Sequence, residues 1–313
     1  MRIYRSPEHL EYPTKSIIFR GFWKDADRTK KFLIDLFSKF EAPGKTIVIT
    51  SVFPSRSITE KAMTSIHSRM GGKLSIQEIQ RIGYGHIEPI KNPNTINIWY
   101  SGENSRIPSS TGWDAFLSFE NDSTIDKSIF LPFWATRLGD TVSDAANFQK
   151  ALLNSRAVDT GEGERGRICA VIGNPEPMRL NFIKQLQKTT PVDVFGKITG
   201  IYVPDKYSLL RNYTFNICFE NDLYPNYVTE KIFESWNAGC IPIWWGIDQA
   251  EYLNRSAYIN LADSTFAKTI ADINEIRQRS ELSNKMTNSP ILQKPFDYSF
   301  LINQLAGIIS LKF

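Results

Sequence analysis

The sequence predicts an α/β protein made of two parallel-sheet layers, and three observations carry that prediction. Apolar runs of strand length alternate with segments whose apolar residues recur at helical spacing. Several runs, such as Ile168-Cys169-Ala170-Val171-Ile172, are apolar without a break, as in strands buried on both faces. The chain has 313 residues, more than the ~250–300 at which a single core usually stops growing. A polar, Gly-rich stretch, Asp159-Thr160-Gly161-Glu162-Gly163-Glu164-Arg165-Gly166, suits a linker between two halves.

In the first half, 16–19 reads as a short buried strand. Asp25 and Asp27 can cap the helix that follows, whose apolar stripe is Phe32, Leu36, Phe37 and Phe40. Pro43-Gly44 breaks it. Residues 46–53 form the next strand, 57–69 a helix stopped by Gly71-Gly72, and 97–100 and 114–119 two more strands. The pattern weakens over 137–167, with a helix expected at 142–156. In the second half, strands are expected at 168–172, 192–195, 214–219 and 241–245. Helices are expected at 176–188, 206–211, 228–238, 264–279 and 296–311, with Gly239 at the C-terminal cap position of the 228–238 helix. No internal repeat or low-complexity tract stands out. The expected domains are 1–160, 161–295 and a C-terminal helix, 296–313, packing back towards the first domain.

Composition excludes several classes. Hydrophobic residues make up 42% and charged residues 22% of the chain, against a disordered chain, a collagen or a coiled-coil rod. Lys plus Arg is 37 and Asp plus Glu is 33, a net charge of +4. That excess is too small to imply nucleic acid, but suits an anionic small ligand. No run approaches the roughly 20 apolar residues of a membrane helix, and Met1-Arg2-Ile3-Tyr4-Arg5-Ser6-Pro7-Glu8 lacks a signal-peptide core. Cys169, Cys218 and Cys240 have neither close pairing nor zinc-type spacing. The expectation is a reduced, cytoplasmic protein, in which the Asn-x-Ser/Thr sites at Asn121, Asn212 and Asn254 are accidental.

The most informative stretch runs from Tyr213 to Gly246. A buried strand ends in Glu220 and Asn221, and a short loop then starts a helix with Thr229, Glu230 and Lys231 in its first turn. In open α/β sheets, ligands sit beyond the carboxyl ends of strands. A helix N-terminus there offers N–H groups and a positive dipole end to an anion, and Lys231 adds a full charge. A carboxylate such as Glu230 suits sugar hydroxyls. Taken alone, the same residues also fit a charged first turn with a capping Thr. Glu103 equally fits a surface turn, and Arg179 and Lys206 fit solvated cations.

These residues resemble a family. Phe219-Glu220-Asn221, Tyr227-Val228-Thr229-Glu230-Lys231, Ile241-Pro242-Ile243 and Trp245-Gly246 are similar to the signature of the α1,3/4-fucosyltransferases, the bacterial branch above all. Tyr100-Ser101-Gly102-Glu103-Asn104, Phe130-Leu131-Pro132-Phe133-Trp134 and Asn174-Pro175 through Arg179 match further family segments in the same order. The resemblance implies the GT-B type: two Rossmann-like domains facing across a cleft, with GDP-fucose bound by the second. It implies an inverting transfer of L-fucose to a glycan hydroxyl, α1,3 or α1,4 to N-acetylglucosamine or glucose in a lactose or N-acetyllactosamine unit. The product expected is a cell-surface glycan such as a lipopolysaccharide or a glycosylated protein.

By that resemblance Glu103 is the general base, which a single inverting displacement requires. Glu230 is the second catalytic carboxylate. Arg179 and Lys231 neutralise the diphosphate, and Asn221, Tyr227 and Lys206 are further donor contacts. No Asp-x-Asp triplet or His cluster suits a metal, His9, His67 and His86 being scattered, so no metal or cofactor is expected. The partners expected are GDP-fucose and an oligosaccharide acceptor, with no nucleic acid and at most peripheral contact with a membrane. Two departures stand out: Ile247-Asp248-Gln249 replaces a small residue and Pro after Trp245-Gly246, and 55–90 is longer than in bacterial relatives. The alternatives are a GT-B transferase using another nucleotide sugar, and a non-catalytic nucleotide-sugar- or glycan-binding protein.

Overall fold

The computed structural model describes residues 16–23, 26–52, 88–108, 111–121, 124–156 and 166–312. The helix expected at 57–69, the long segment 55–90 in its greater part, the three histidines, Asp25 and most of 159–166 lie outside the described residues. The chain divides into two compact units, residues 1–145 with 297–313, and residues 146–296. The boundary expected at 160/161 thus falls inside the second unit.

In the first unit, β1 (Ile17–Arg20) leads to α1 (Asp27–Ser38) and then to β2 (Thr46–Thr50), β3 (Thr95–Tyr100), β4 (Ala115–Ser118) and β5 (Ser128–Phe130). The strands lie in that same order, all parallel. β3 and β4 are buried at every position, the two-sided burial that their apolar runs predict. α1 buries Phe32, Leu33, Leu36 and Phe37 completely; three of these belong to the expected stripe, whose fourth member, Phe40, lies past the end of the helix and is half-buried. Its N-cap is Ala26 without a side-chain cap, so Asp27 acts from inside the first turn, where an anion favours the dipole. β5, which the sequence analysis passed over, has three residues and one buried side chain.

The second unit begins within α2 (Val142–Leu152). It continues with β6 (Ile168–Ile172), α3 (Pro177–Leu186), β7 (Asp193–Gly196), α4 (Lys206–Leu210), β8 (Phe215–Ile217), α5 (Glu230–Asn237) and β9 (Ile241–Trp244). β10 (Ile259–Asn260), α6 (Phe266–Gln278) and α7 (Ser280–Asn288) follow. The strand order is β10-β9-β8-β6-β7, again all parallel. From β6 the chain goes first to one side, to β7, and then returns to the other, to β8. That reversal leaves a crevice beyond the carboxyl ends of β6 and β8. The core beneath joins Ile168, Ala170, Ile172, Phe215, Ile217, Ile241 and Ile243 of the sheet to Phe182, Leu186, Ile273 and Ile276 of α3 and α6. The last helix, α8 (Tyr298–Ser310), belongs to the first unit. Its Tyr298 hydroxyl donates to Ala135 O at 3.0 Å, and its Leu301, Leu305 and Ile309 are buried.

Candidate functional site

The crevice of the second unit gathers three charged side chains. Pro177 opens α3, where its missing N–H costs nothing, and Arg179 stands one turn in with only 5% of its surface exposed. One Arg179 terminal nitrogen donates to Asn174 O at 2.6 Å. The other donates to Phe219 O at 2.6 Å and Glu220 O at 3.3 Å. One planar guanidinium therefore ties the loop after β6 to the loop after β8, across the reversal. Burial pulls its pKa below the ordinary arginine value, opposed by the nearby Glu220 and Glu176.

Glu220 is the hub of the site. β8 keeps its ladder to β9 past its last residue, through Cys218 N to Ile243 O at 2.9 Å and Glu220 N to Trp245 O at 3.2 Å. That carries a carboxylate with 0% exposure into the crevice. Its oxygens accept from Thr229 N at 2.9 Å, Thr229 Oγ1 at 2.8 Å, Lys231 Nζ at 3.2 Å and Trp244 Nε1 at 3.2 Å. A buried carboxylate needs this many donors to offset the loss of water. Thr229 caps α5, its hydroxyl facing Lys231 N and, at 3.0 Å, Lys231 Nζ. Glu220 so fixes the first turn of α5 and brings Lys231 and Arg179 to the same loop. Trp244 can reach Glu220 because Gly246 lies against its ring, where a Cβ would collide with the indole.

Of the remaining expected residues, Asn221 and Glu230 are half-buried on the same loop and first turn. Tyr227 has 1% of its surface exposed. Lys206 ion-pairs with Glu234 of α5 at 2.7 Å, both side chains well exposed. The Ile247-Asp248-Gln249 departure has a structural meaning. Asp248, buried to 9% exposure, accepts Leu253 N at 2.6 Å, while Asn226, at φ 62°, accepts Ala250 N at 2.7 Å. The side chain thus braces its own loop. Burial raises the Asp248 pKa above the usual carboxylate range.

Glu103, in the first unit, lies just past β3. Gly102 before it sits so close to Ser51 Oγ and the Trp23 ring that a Cβ would stand 2.5 and 2.6 Å from them. The loop is held at both ends. Ser101 Oγ bonds Ser118 Oγ at 3.2 Å, and Ile107 N donates to Glu120 Oε2 at 3.0 Å. Between these anchors Arg106 reaches Asn104 Oδ1 at 2.8 Å and Glu120 Oε1 at 4.0 Å.

Sequence reasoning named neither Glu120 nor Glu220 as a site residue, although Glu220 lies within the quoted signature. A signal was present: Phe119-Glu120-Asn121-Asp122 recurs as Phe219-Glu220-Asn221-Asp222. Each copy follows a buried parallel strand, and each phenylalanine is fully buried. The three cysteines are free and buried. Burial raises all three thiols, that of Cys240 to about 12, so they are poor nucleophiles. Among the described residues no group of three or more His, Cys, Asp or Glu could hold a metal ion, and no helix is long and apolar enough to cross a membrane.

Residues 165–285 match the family described as glycosyltransferase family 10 (fucosyltransferase), C-terminal part. The matched segment holds Arg179, Glu220 and Lys231. An alpha-(1,3)-fucosyltransferase of Helicobacter pylori is 29% identical, over 54% of this chain and 41% of its own. A human 4-galactosyl-N-acetylglucosaminide 3-alpha-L-fucosyltransferase is 28% identical, over 34% and 33%. The chain spans less than half the length of these relatives. A crystal structure of an alpha1,3-fucosyltransferase superposes with a TM-score of 0.61 over 98% of this chain and 93% of that one, at 19% identity. One with GDP gives 0.57 over 91% and 95%, also at 19%. The GT-B type of fold, with two Rossmann-like units, is the fold of this chain.

Proposed function

We propose that this protein is an inverting α1,3/4-fucosyltransferase that moves L-fucose from GDP-fucose to a glycan hydroxyl. The observation that carries the reading is the convergence of Arg179 and Lys231 on Glu220, at the chain reversal of the fucosyltransferase domain. One solved structure of similar fold is an alpha1,3-fucosyltransferase with GDP-fucose, and the human relative's name specifies the 3-position of an N-acetylglucosaminide.

In this reading the acceptor oxygen forms a bond to the fucose anomeric carbon as the bond from that carbon to the β-phosphate oxygen breaks. The electron pair leaves with GDP, and Glu103 takes the acceptor's proton. Attack opposite the departing phosphate converts the β-linked donor into an α-linked product. Arg179 and Lys231, with the N–H groups opening α5, stabilise the charge developing on the diphosphate. Asn221, Tyr227 and Lys206 shape the donor side, and Glu230 faces hydroxyls or the oxocarbenium charge. No metal takes part, and the reaction takes place in the cytoplasm on a precursor of a surface glycan.

Incubation with GDP-fucose and lactose or N-acetyllactosamine acceptors, with linkage read by NMR, tests the reading. Full turnover in excess chelator is expected, and a strict metal requirement would contradict the Arg179 and Lys231 assignment. GDP at 100 times its Kd should stabilise the protein by about 2.7 kcal/mol. Stabilisation by UDP and not GDP would assign another nucleotide sugar, and GDP binding without transfer would assign a binding protein.

A further inference from the structure

We infer that Glu120 is the positioning residue of the transfer reaction, holding Glu103 at its working angle; the inference rests on the reading of Glu103 as base. The loop carrying Glu103 leaves β3 and is fastened at both ends to one short segment, 118–120. At the near end, Ser118 Oγ meets Ser101 Oγ at 3.2 Å and accepts Glu120 N at 3.0 Å. At the far end Glu120 Oε2 accepts Ile107 N at 3.0 Å. The same carboxylate faces Arg106, whose guanidinium holds Asn104 Oδ1 at 2.8 Å. Asn104 is 5% exposed and follows Glu103 directly.

The near end has a second restraint. Ser51 Oγ donates to Tyr100 O at 3.0 Å, and Gly102 has no room for a Cβ against Ser51 and Trp23. Packing and a serine pair fix the loop's start, so Glu120 supplies the matching restraint where it ends. Glu120 is suited to restraint more than to proton transfer. Its side chain is 12% exposed, and its oxygens already face a backbone N–H and a guanidinium. The recurrence of its tetrapeptide at Glu220 supports this, because Glu220 likewise accepts a backbone N–H of a site loop, that of Thr229, at 2.9 Å. Displacement of a catalytic group by about 1 Å can cost ~10²-fold in rate, so this restraint has kinetic weight.

The test compares Glu103→Gln, Glu120→Ala and Glu120→Gln in the full chain, measuring kcat, both KM values, the pH profile of kcat and GDP affinity. Glu103→Gln should be inactive. Glu120→Ala should lose about 10²-fold in kcat, with KM values and GDP affinity near wild type. Glu120→Gln keeps an oxygen for Ile107 N and should restore most of kcat. Both Glu120 variants remove a negative charge from the loop's anchor, so the ascending limb of their pH profile should move to lower pH. If Glu120→Ala lowers Tm, Glu120→Asp, which keeps the charge and shortens the reach, carries the same comparison. Wild-type kcat in Glu120→Ala overturns the inference, as does Glu120→Gln being as inactive as Glu103→Gln, which would make Glu120 the base. Turnover near wild type in Glu103→Gln instead removes the reading on which the inference rests.

Discussion

The two units use the same kind of sheet and differ in one topological choice. The first lays its five described strands in chain order, β1 to β5. The second starts in the middle, at β6, and reverses between β7 and β8. Only a reversal parts two neighbouring strand-to-helix loops in opposite directions, and Arg179 spans that parting. The second unit therefore brings two loops together under one guanidinium by its topology. The first, lacking a reversal among its described strands, presents Glu103 on a single loop that must be pinned from beside it. The repeated Phe-Glu-Asn-Asp shows the contrast at residue level. Glu220 is completely buried among four donors, and Glu120 keeps some exposure while accepting Ile107 N.

The largest expected effect breaks that contrast at its deepest point. Glu220→Ala removes the acceptor that Lys231, Thr229 and the Trp244 indole N–H share. It should cost about 3–5 kcal/mol, the usual result of removing one side of a buried pair, seen as a lower urea midpoint. Glu120→Ala, at a shallower site, should cost only about 1 kcal/mol and act on kcat. Equal losses in the two variants would mean that the tetrapeptides do the same work at the same depth. Arg179→Lys comes next. A lysine cannot bridge the carbonyls of two loops with one planar group, and kcat/KM should fall by about 10²–10³-fold, as when an oxyanion donor is lost. The fold of the first unit should be untouched.

The third test adds a single methyl group in each unit. Gly102→Ala pushes against Ser51 and Trp23, and Gly246→Ala against the Trp244 ring. Each should destabilise by about 1–3 kcal/mol through overpacking. The readouts should separate: kcat falls with Gly102→Ala, and GDP affinity falls with Gly246→Ala, whose indole holds Glu220.

Most helices were legible from helical spacing of their apolar residues, and most strands from apolar runs of strand length. α1 and β6 match their spacing within a residue or two at each end. β5 and β10 were not, because three- and two-residue strands have no period to read. α7 was missed for a different reason: its apolar side is only Leu282 and Met286, partly buried against the core, and its fully buried residue is the polar Thr287. Contacts divide the chain at 145/146 and not at the glycine- and charge-rich stretch, because glycine and charge mark irregular backbone, whereas such divisions follow long-range packing. At the site, the residue types of Arg179 and Lys231 suggested an anion, but the role of Glu220 was hidden. Carboxylates are seldom fully buried, and only the ladder past the end of β8 shows why this one is.

The smallest expected effect compares two buried aspartates, one in each unit. Asp114 accepts Asn97 N at 2.8 Å and pairs with Lys312 at 2.8 Å. Asp248 braces its loop through Leu253 N, and burial raises its pKa. A carboxyl whose folded pKa is raised stabilises the fold below the ordinary aspartate pKa, and that contribution is lost as pH rises through the raised value. At neutral pH wild type therefore bears the cost of a charged, buried Asp248. Asp248→Asn removes the charge and keeps an oxygen for Leu253 N, so its stability relative to wild type should improve from acid to neutral pH. Asp114→Asn gives up an ion pair whose lysine is half exposed, and should cost no more than about 1 kcal/mol at neutral pH. Unfolding curves of both variants at acid and neutral pH decide the matter. Parallel pH dependence of Asp248→Asn and wild type would show that Asp248 has the same pKa folded and unfolded, and that burial does not govern its titration.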